Sequence, residues 1–149
     1  MLRTIIAGTL FGFMTLVASA QVFAQADVNE KRQKAMKSIS AAAKEVKAAV
    51  AEKNYATVEA KAKDIMGTAE KIPSLFPKGS TTGKTKATPA IWEKSDDFAK
   101  AAKNLGRTAG ELASAAKAGN DAEVGVKVKA MGDACGACHK QFRAKKYEE

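Results

Sequence analysis

The sequence predicts an all-α fold, an antiparallel four-helix bundle, on three observations. Four stretches carry apolar residues at helical spacing, cap and turn residues separate them, and no segment alternates apolar and polar residues as a half-buried strand would. With 149 residues, 46% of them hydrophobic, the chain supports one domain with one modest core. Only 6% are aromatic, so small side chains bring helices close together and leave space that a bulky group would fill.

Residues 1–26 read apart from the rest. Arg3 supplies a positive start, residues 5–20 are uncharged and mostly apolar, and Ala18-Ser19-Ala20 and Ala24-Gln25-Ala26 both have the small-x-small spacing of a cleavage site. A cleaved signal peptide over 1–26 is expected, with cleavage near residues 24–26, leaving a bundle domain over 27–149. An uncleaved anchor is the alternative, since about 20 apolar residues span a bilayer, but the run is short and ends in small residues. Either reading predicts export, and the periplasm is the expected location.

The first helix starts near Val28, with Met36, Ile39, Ala43, Val46 and Val50 on one stripe and Arg32 in its one polar slot. Asn54 is placed to cap the second, whose stripe is Tyr55, Val58, Ala62, Ile65, Ala69 and Ile72, ending before Pro73. Residues 73–88 break the period with Pro73, Pro77, Gly79 and Gly83 and read as one long surface connection, anchored by Leu75 and Phe76. Thr88-Pro89 supplies a cap and a first-turn proline for the third helix, with Ile91, Phe98, Leu105 and Leu112 every seven residues, closing near Gly119. Asn120 and Glu123 are spaced as a capping box for the fourth, whose stripe is Val124, Val128, Met131, Cys135, Cys138 and Phe142.

The formal charge is +9, and loss of residues 1–26 would remove only Arg3. A basic chain raises the question of nucleic acid, yet no arginine-aromatic interleaving is present and an exported protein seldom meets it. Lys31, Lys34, Lys37, Lys44 and Lys47 fall between apolar positions, as on a solvated helix face. Nucleic acid is therefore not an expected partner, and an acidic redox protein is.

The chemistry is concentrated in Cys135-Gly136-Ala137-Cys138-His139, which holds the only two cysteines and the only histidine. This C-x-x-C-H spacing is that of c-type haem attachment. Positions i and i+3 share a helix face, so both sulfurs reach the vinyl-derived carbons along one porphyrin edge, and an imidazole at i+4 stands over the same face to meet the iron. Two haem propionates would lower the exported chain's charge to about +6. A structural zinc site needs four ligands and only three are offered. A thioredoxin-like pair needs a βαβ setting that is missing. A disulfide at this spacing in a helix bridges awkwardly and suits a transient state before haem attachment. The fold expected is thus a four-helix bundle enclosing one covalently attached haem c.

C-x-x-C-H in the last helix, followed by Phe142-Arg143, together with Arg32-Gln33-Lys34-Ala35-Met36-Lys37, Leu75-Phe76-Pro77 and Ile91-Trp92-Glu93, resembles the class II c-type cytochromes. The resemblance covers essentially the whole of 27–149. It implies a haem inside the bundle, with His139 on one side and the first helix on the other, and it places Met36 at the distal position and Arg32 and Gln33 beside the haem. In one branch of that family the distal residue packs without bonding and the five-coordinate, high-spin iron binds nitric oxide or carbon monoxide. In the other a methionine ligates and the protein is a low-spin electron carrier. Related bundles also pair through their first two helices, so a homodimer is expected.

Arg32 lies one turn before Met36, and a buried arginine needs an anion that a propionate would supply; an arginine reaching water at the bundle end is the alternative. Arg143, four residues after His139, falls beside the proximal side by helical arithmetic and by the family pattern. Trp92 and Phe98 suit either the pocket lining or ordinary core. Met66 and Met131 are weaker ligand candidates than Met36. With one histidine committed and no acid-base or nucleophile constellation, no enzyme is expected. The leading expectation is a one-electron carrier ligated by His139 and Met36; the alternative is the five-coordinate gas-binding form.

Overall fold

The computed structural model describes residues 14–81 and 83–148; residues 1–13 of the expected signal peptide lie outside the described residues. Among the described residues five helices and a short ribbon follow one another: α1 (Met14–Ala51), α2 (Tyr55–Lys71), a single 3₁₀ turn (Pro73–Leu75), β1 (Thr85–Ala87), α3 (Ala90–Glu93), α4 (Ser95–Lys117), α5 (Asp121–Phe142) and β2 (Arg143–Glu148). α1, α2, α4 and α5 form the four-helix bundle. Among the described residues no helix is long and apolar enough to cross a membrane.

Turn chemistry sets the up-and-down order. Lys53, with φ of 54°, and Asn54 reverse the chain within three residues, and the Asn54 side chain accepts from the Thr57 N–H at 3.2 Å, as expected of a cap. Gly119, with φ of 68°, reverses it again after α4. There the Asn120 side chain accepts from the Glu123 N–H at 3.2 Å. Glu123 returns its bond to the Asn120 side-chain amide and not to its backbone N–H, so only half of the expected capping box forms.

The core is small-residue packing with a few large anchors. Val46, Val58, Ile65, Leu112 and Val124 are its largest fully enclosed side chains, and Ala62, Ala69 and Ala109 are equally inaccessible. Where α2 crosses α4 the backbones come close: a Cβ on Gly106 would lie 3.8 Å from that of Ala69, and one on Gly110 only 3.1 Å from the Met66 sulfur. The stripes expected from sequence are buried in α2 and α4 except for the half-buried Tyr55, whereas in α5 Val124, Met131 and Phe142 are buried and Val128, Cys135 and Cys138 half-buried. In α1 the buried line runs Ile39, Ala42, Val46, Ala49, while Met36, Ala43 and Val50 are half-buried at its edge. Thr108 is admitted to the core because its hydroxyl donates to the carbonyls of Asn104 and Leu105, both at 3.1 Å.

Two expectations are corrected. α1 begins at Met14 and not near Val28; residues 14–26 contain neither proline nor glycine, so nothing in them stops the helix. The third helix is two pieces: α3 closes at Lys94, whose φ of −122° and ψ of 49° leave the helical region, and α4 starts again at Ser95. The all-α bundle also carries a short two-stranded ribbon. β1 pairs antiparallel with β2, Ala87 opposite Arg143 and Thr85 opposite Glu148, with an irregularity between. Three residues of β1 are too few to show alternation, so the pairing is set by what the ends of the chain meet.

At the opposite end of the bundle, Asp121 of α5 accepts from the Tyr55 hydroxyl at 2.5 Å and from the Lys53 ammonium at 3.0 Å. These two bonds, the Tyr55 one foremost, hold its carboxyl below the ordinary carboxylate value. A depressed folded pKa stabilises above the unfolded pKa and is lost as pH falls through the folded one. Asp121→Asn is therefore expected to melt below the wild type at neutral pH, with the difference vanishing as the solution is acidified below about pH 4. Thermal melts across that range check it.

Candidate haem-attachment site

Three of the bundle's four seams are closed by side chains: α1 on α2, α2 on α4 and α4 on α5. α1 and α5 scarcely touch. The attachment motif lies on α5, in its last two turns, and Met36 lies on α1.

Cys135 and Cys138 are free thiols, each half-buried against the core. Burial pushes both thiols above their ordinary pKa, so they are protonated, not anionic, at neutral pH. Gly136 and Ala137 between them are exposed, and a Cβ on Gly136 would meet nothing. Protein packing does not require that glycine. His139 is an exposed residue; desolvation first, then the nearby Arg143 charge, hold its imidazole below the ordinary value. A neutral ring keeps a nitrogen lone pair for a metal at neutral pH. Two half-buried thiols at i and i+3 and an imidazole at i+4 on one helix are the donor set of a covalently held haem.

A polar and aromatic cluster sits at the same end. Arg32, 5% exposed, donates from Nε to the Leu75 carbonyl at 2.7 Å, from one Nη to Asn29 Oδ1 at 2.9 Å and the Ser80 carbonyl at 3.1 Å, and from the other Nη to the Ser80 hydroxyl. Its guanidinium carbon stands 4.3 Å from the centre of the Phe76 ring and 5.6 Å from that of Trp92. Burial lowers its pKa to about 10, so it remains charged. The alternative of an arginine reaching water is thereby excluded. The expected need for an anion is also met differently, since four of its five N–H groups find neutral acceptors in the 75–80 segment and Asn29, and one Nη–H is left over.

From this cluster a line of rings runs into the bundle. Trp92 tilts on Phe76 at 6.2 Å, Phe76 meets Phe98 edge-on at 4.9 Å, and Phe98 meets Phe142 of α5 at 5.2 Å. Trp92 also donates from its indole N–H to the Pro77 carbonyl at 2.9 Å, so it is committed to the loop. Gln33 and Arg143 are both exposed. Met66 lies at the α2–α4 crossing against Gly110 and Met131 is core, which removes Met66 from the α1–α5 seam. Sequence reasoning missed Asn29 and Ser80: a serine between Gly79 and Gly83 carries every sign of a surface loop, yet it is 4% exposed because Arg32 needs its carbonyl and hydroxyl.

A four-helix bundle with Cys-x-x-Cys-His at the end of its last helix defines a class, the helical-bundle c-type cytochromes. The family model described as Cytochrome C' matches residues 27–143. The chain belongs to the cytochrome c' family, whose proteins carry a single covalent haem c. It is 38% identical over 148 residues to cytochrome c-556 of Agrobacterium fabrum, covering 97% of each chain. It is 44% identical over 84 residues to cytochrome c' of Rhodospirillum rubrum, where the match spans 56% of this chain and 57% of that one. The crystal structure of cytochrome c' from Thermochromatium tepidum superposes with a TM-score of 0.75 at 29% identity, over 81% of this chain and 97% of that one.

Proposed function

We propose that the protein holds its haem c in the α1–α5 seam, through thioethers from Cys135 and Cys138, with His139 as the proximal ligand. What supports this reading is that both thiols of the motif are half-buried on α5, while α1 and α5 scarcely touch among the described residues. A bound haem would supply one-electron chemistry and an iron able to take a small ligand. The chain's own residues do the rest. α5 holds the imidazole and two sulfurs in one register, the neutral His139 ring presents its nitrogen, and Arg143 sets a positive charge beside it. The unused Nη–H of Arg32 is available to a propionate, and Gln33 lies one residue on at the surface of α1.

Membership of the cytochrome c' family favours the five-coordinate reading, in which the distal side stays free for nitric oxide or carbon monoxide. The six-coordinate electron carrier is the second reading, favoured by one residue: Met36, half-buried on α1 one turn after Arg32, offers a thioether at the family's distal position. Spectroscopy of the exported protein separates them. The first gives a broad high-spin spectrum that changes on adding carbon monoxide. The second gives a sharp low-spin ferrous spectrum, and Met36→Ala then turns it high-spin and lowers the potential. An unchanged Met36→Ala spectrum removes that residue as a ligand.

Export with removal of 1–26 belongs to the same proposal, supported by a family match that begins at residue 27; N-terminal sequencing of the secreted protein tests it. So do an acidic redox partner and a homodimer through α1 and α2. For the latter, a cytochrome c' structure at 28% identity and TM-score 0.74 is described as having a ligand-controlled dimer dissociation.

A further inference from the structure

Thr88 was expected to cap the helix that follows it, and it does not. α3 has no side-chain cap, and the Thr88 hydroxyl oxygen is enclosed without a hydrogen-bond partner among the described residues. An enclosed hydroxyl that makes no bond is destabilising. The residue's backbone is fully employed: its N–H donates to the Phe142 carbonyl at 3.2 Å and its carbonyl accepts from Ile91 at 3.1 Å. Those bonds tie Thr88 to the last residue of α5, three positions after His139, and the neighbouring pair Ala87–Arg143 closes the ribbon beside it. The hydroxyl is thus held rigidly at the motif's end of the bundle with a proton to donate.

The buried Arg32 guanidinium is surrounded by neutral acceptors and aromatic faces, with no carboxylate among its partners. The rings beside it belong to Phe76 and to Trp92, one turn after Thr88. An anion that enters there meets a desolvated cation and an unemployed hydroxyl donor. Covalent attachment dictates which anion that is. Thioethers fix one porphyrin edge at Cys135 and Cys138, and the propionates project from the edge opposite.

We propose that the Thr88 hydroxyl donates a hydrogen bond to a haem propionate, making Thr88 a haem-positioning residue at the junction of the 73–88 connection and α3. This rests on the placement of the haem proposed above. The bond partly neutralises the propionate and so favours the ferrous state.

Thr88→Val keeps the shape and removes the donor; Thr88→Ser restores it. In the holoprotein, Thr88→Val is expected to shift the propionate bending band in the resonance Raman spectrum and to lower the reduction potential, with Thr88→Ser returning both to the wild-type values. A Thr88→Val protein with the wild-type band and potential, melting higher than the wild type, overturns the proposal, since the hydroxyl is then only an unpaired packing cost. A wild-type protein without covalent haem overturns the haem placement and this inference together. The two failures are told apart by the haem absorption of the wild type.

Discussion

Replacing Cys135 and Cys138 together by alanine is expected to abolish covalent haem: the exported chain loses its haem-stained band on a denaturing gel and the added mass of the group, both of which the wild type shows. No other cysteine exists to substitute. Either single replacement leaves one thioether, and a band of reduced intensity. Because a half-buried thiol resembles a small apolar side chain in size and polarity, the double variant keeps the packing of α5 on α4, and its helical circular dichroism stays near that of the wild type. Loss of the band with loss of all helix would instead mean that attachment and folding are one event.

Arg32→Ala carries the second large effect. It removes four donated hydrogen bonds from a 5%-exposed guanidinium and the stacking on Phe76 and Trp92. The Leu75 and Ser80 carbonyls and the Ser80 hydroxyl are left near apolar surface. Bonds from a charged donor contribute about 1.5–3 kcal/mol each in net terms, and bonds that share one guanidinium do not add. A net loss of about 3 kcal/mol is expected, which for a chain of this size lowers the thermal midpoint by roughly 10 °C. Arg32→Lys restores the charge but not the fork that serves three residues at once, so it recovers less than half of the loss. A melt of either variant within about 1 °C of the wild type would mean that the 73–88 connection is held by Phe76 alone.

The attachment motif is legible in the sequence because its chemistry is local: five consecutive residues of one helix contain the two cysteines and the histidine, at positions i, i+3 and i+4. The four bundle helices were legible for the same reason. Each buries a stripe that repeats within its own sequence, and Asn54 and Asn120 mark two of the starts. The break at Lys94 was not legible, since Ile91, Phe98, Leu105 and Leu112 keep one heptad period across it. The chain leaves the helix there while Trp92 is bonded to Pro77, a residue fifteen positions away. Nor was the ribbon legible, for β1 is stabilised by a partner almost sixty residues further on.

Arg32 shows the division most clearly. From sequence it was a polar residue on an apolar stripe, and a buried one needs compensation. Which groups compensate it depends on where residues 75–80 fold back, and that is set by Phe76 packing on Phe98 and Trp92. The same holds for Thr88, whose hydroxyl was assigned locally to a cap and is found, once the ribbon forms, without one. What the sequence by itself determined is the helical bundle, its chain reversals and a haem-attachment signature, all properties of residues within a few turns of one another. Only the tertiary structure decided which seam stays open, where the long connection docks and which polar atoms remain unpaired at the motif's end. Those follow from contacts between segments far apart in the chain, whose burial is a property of the assembled core and leaves no local period to read.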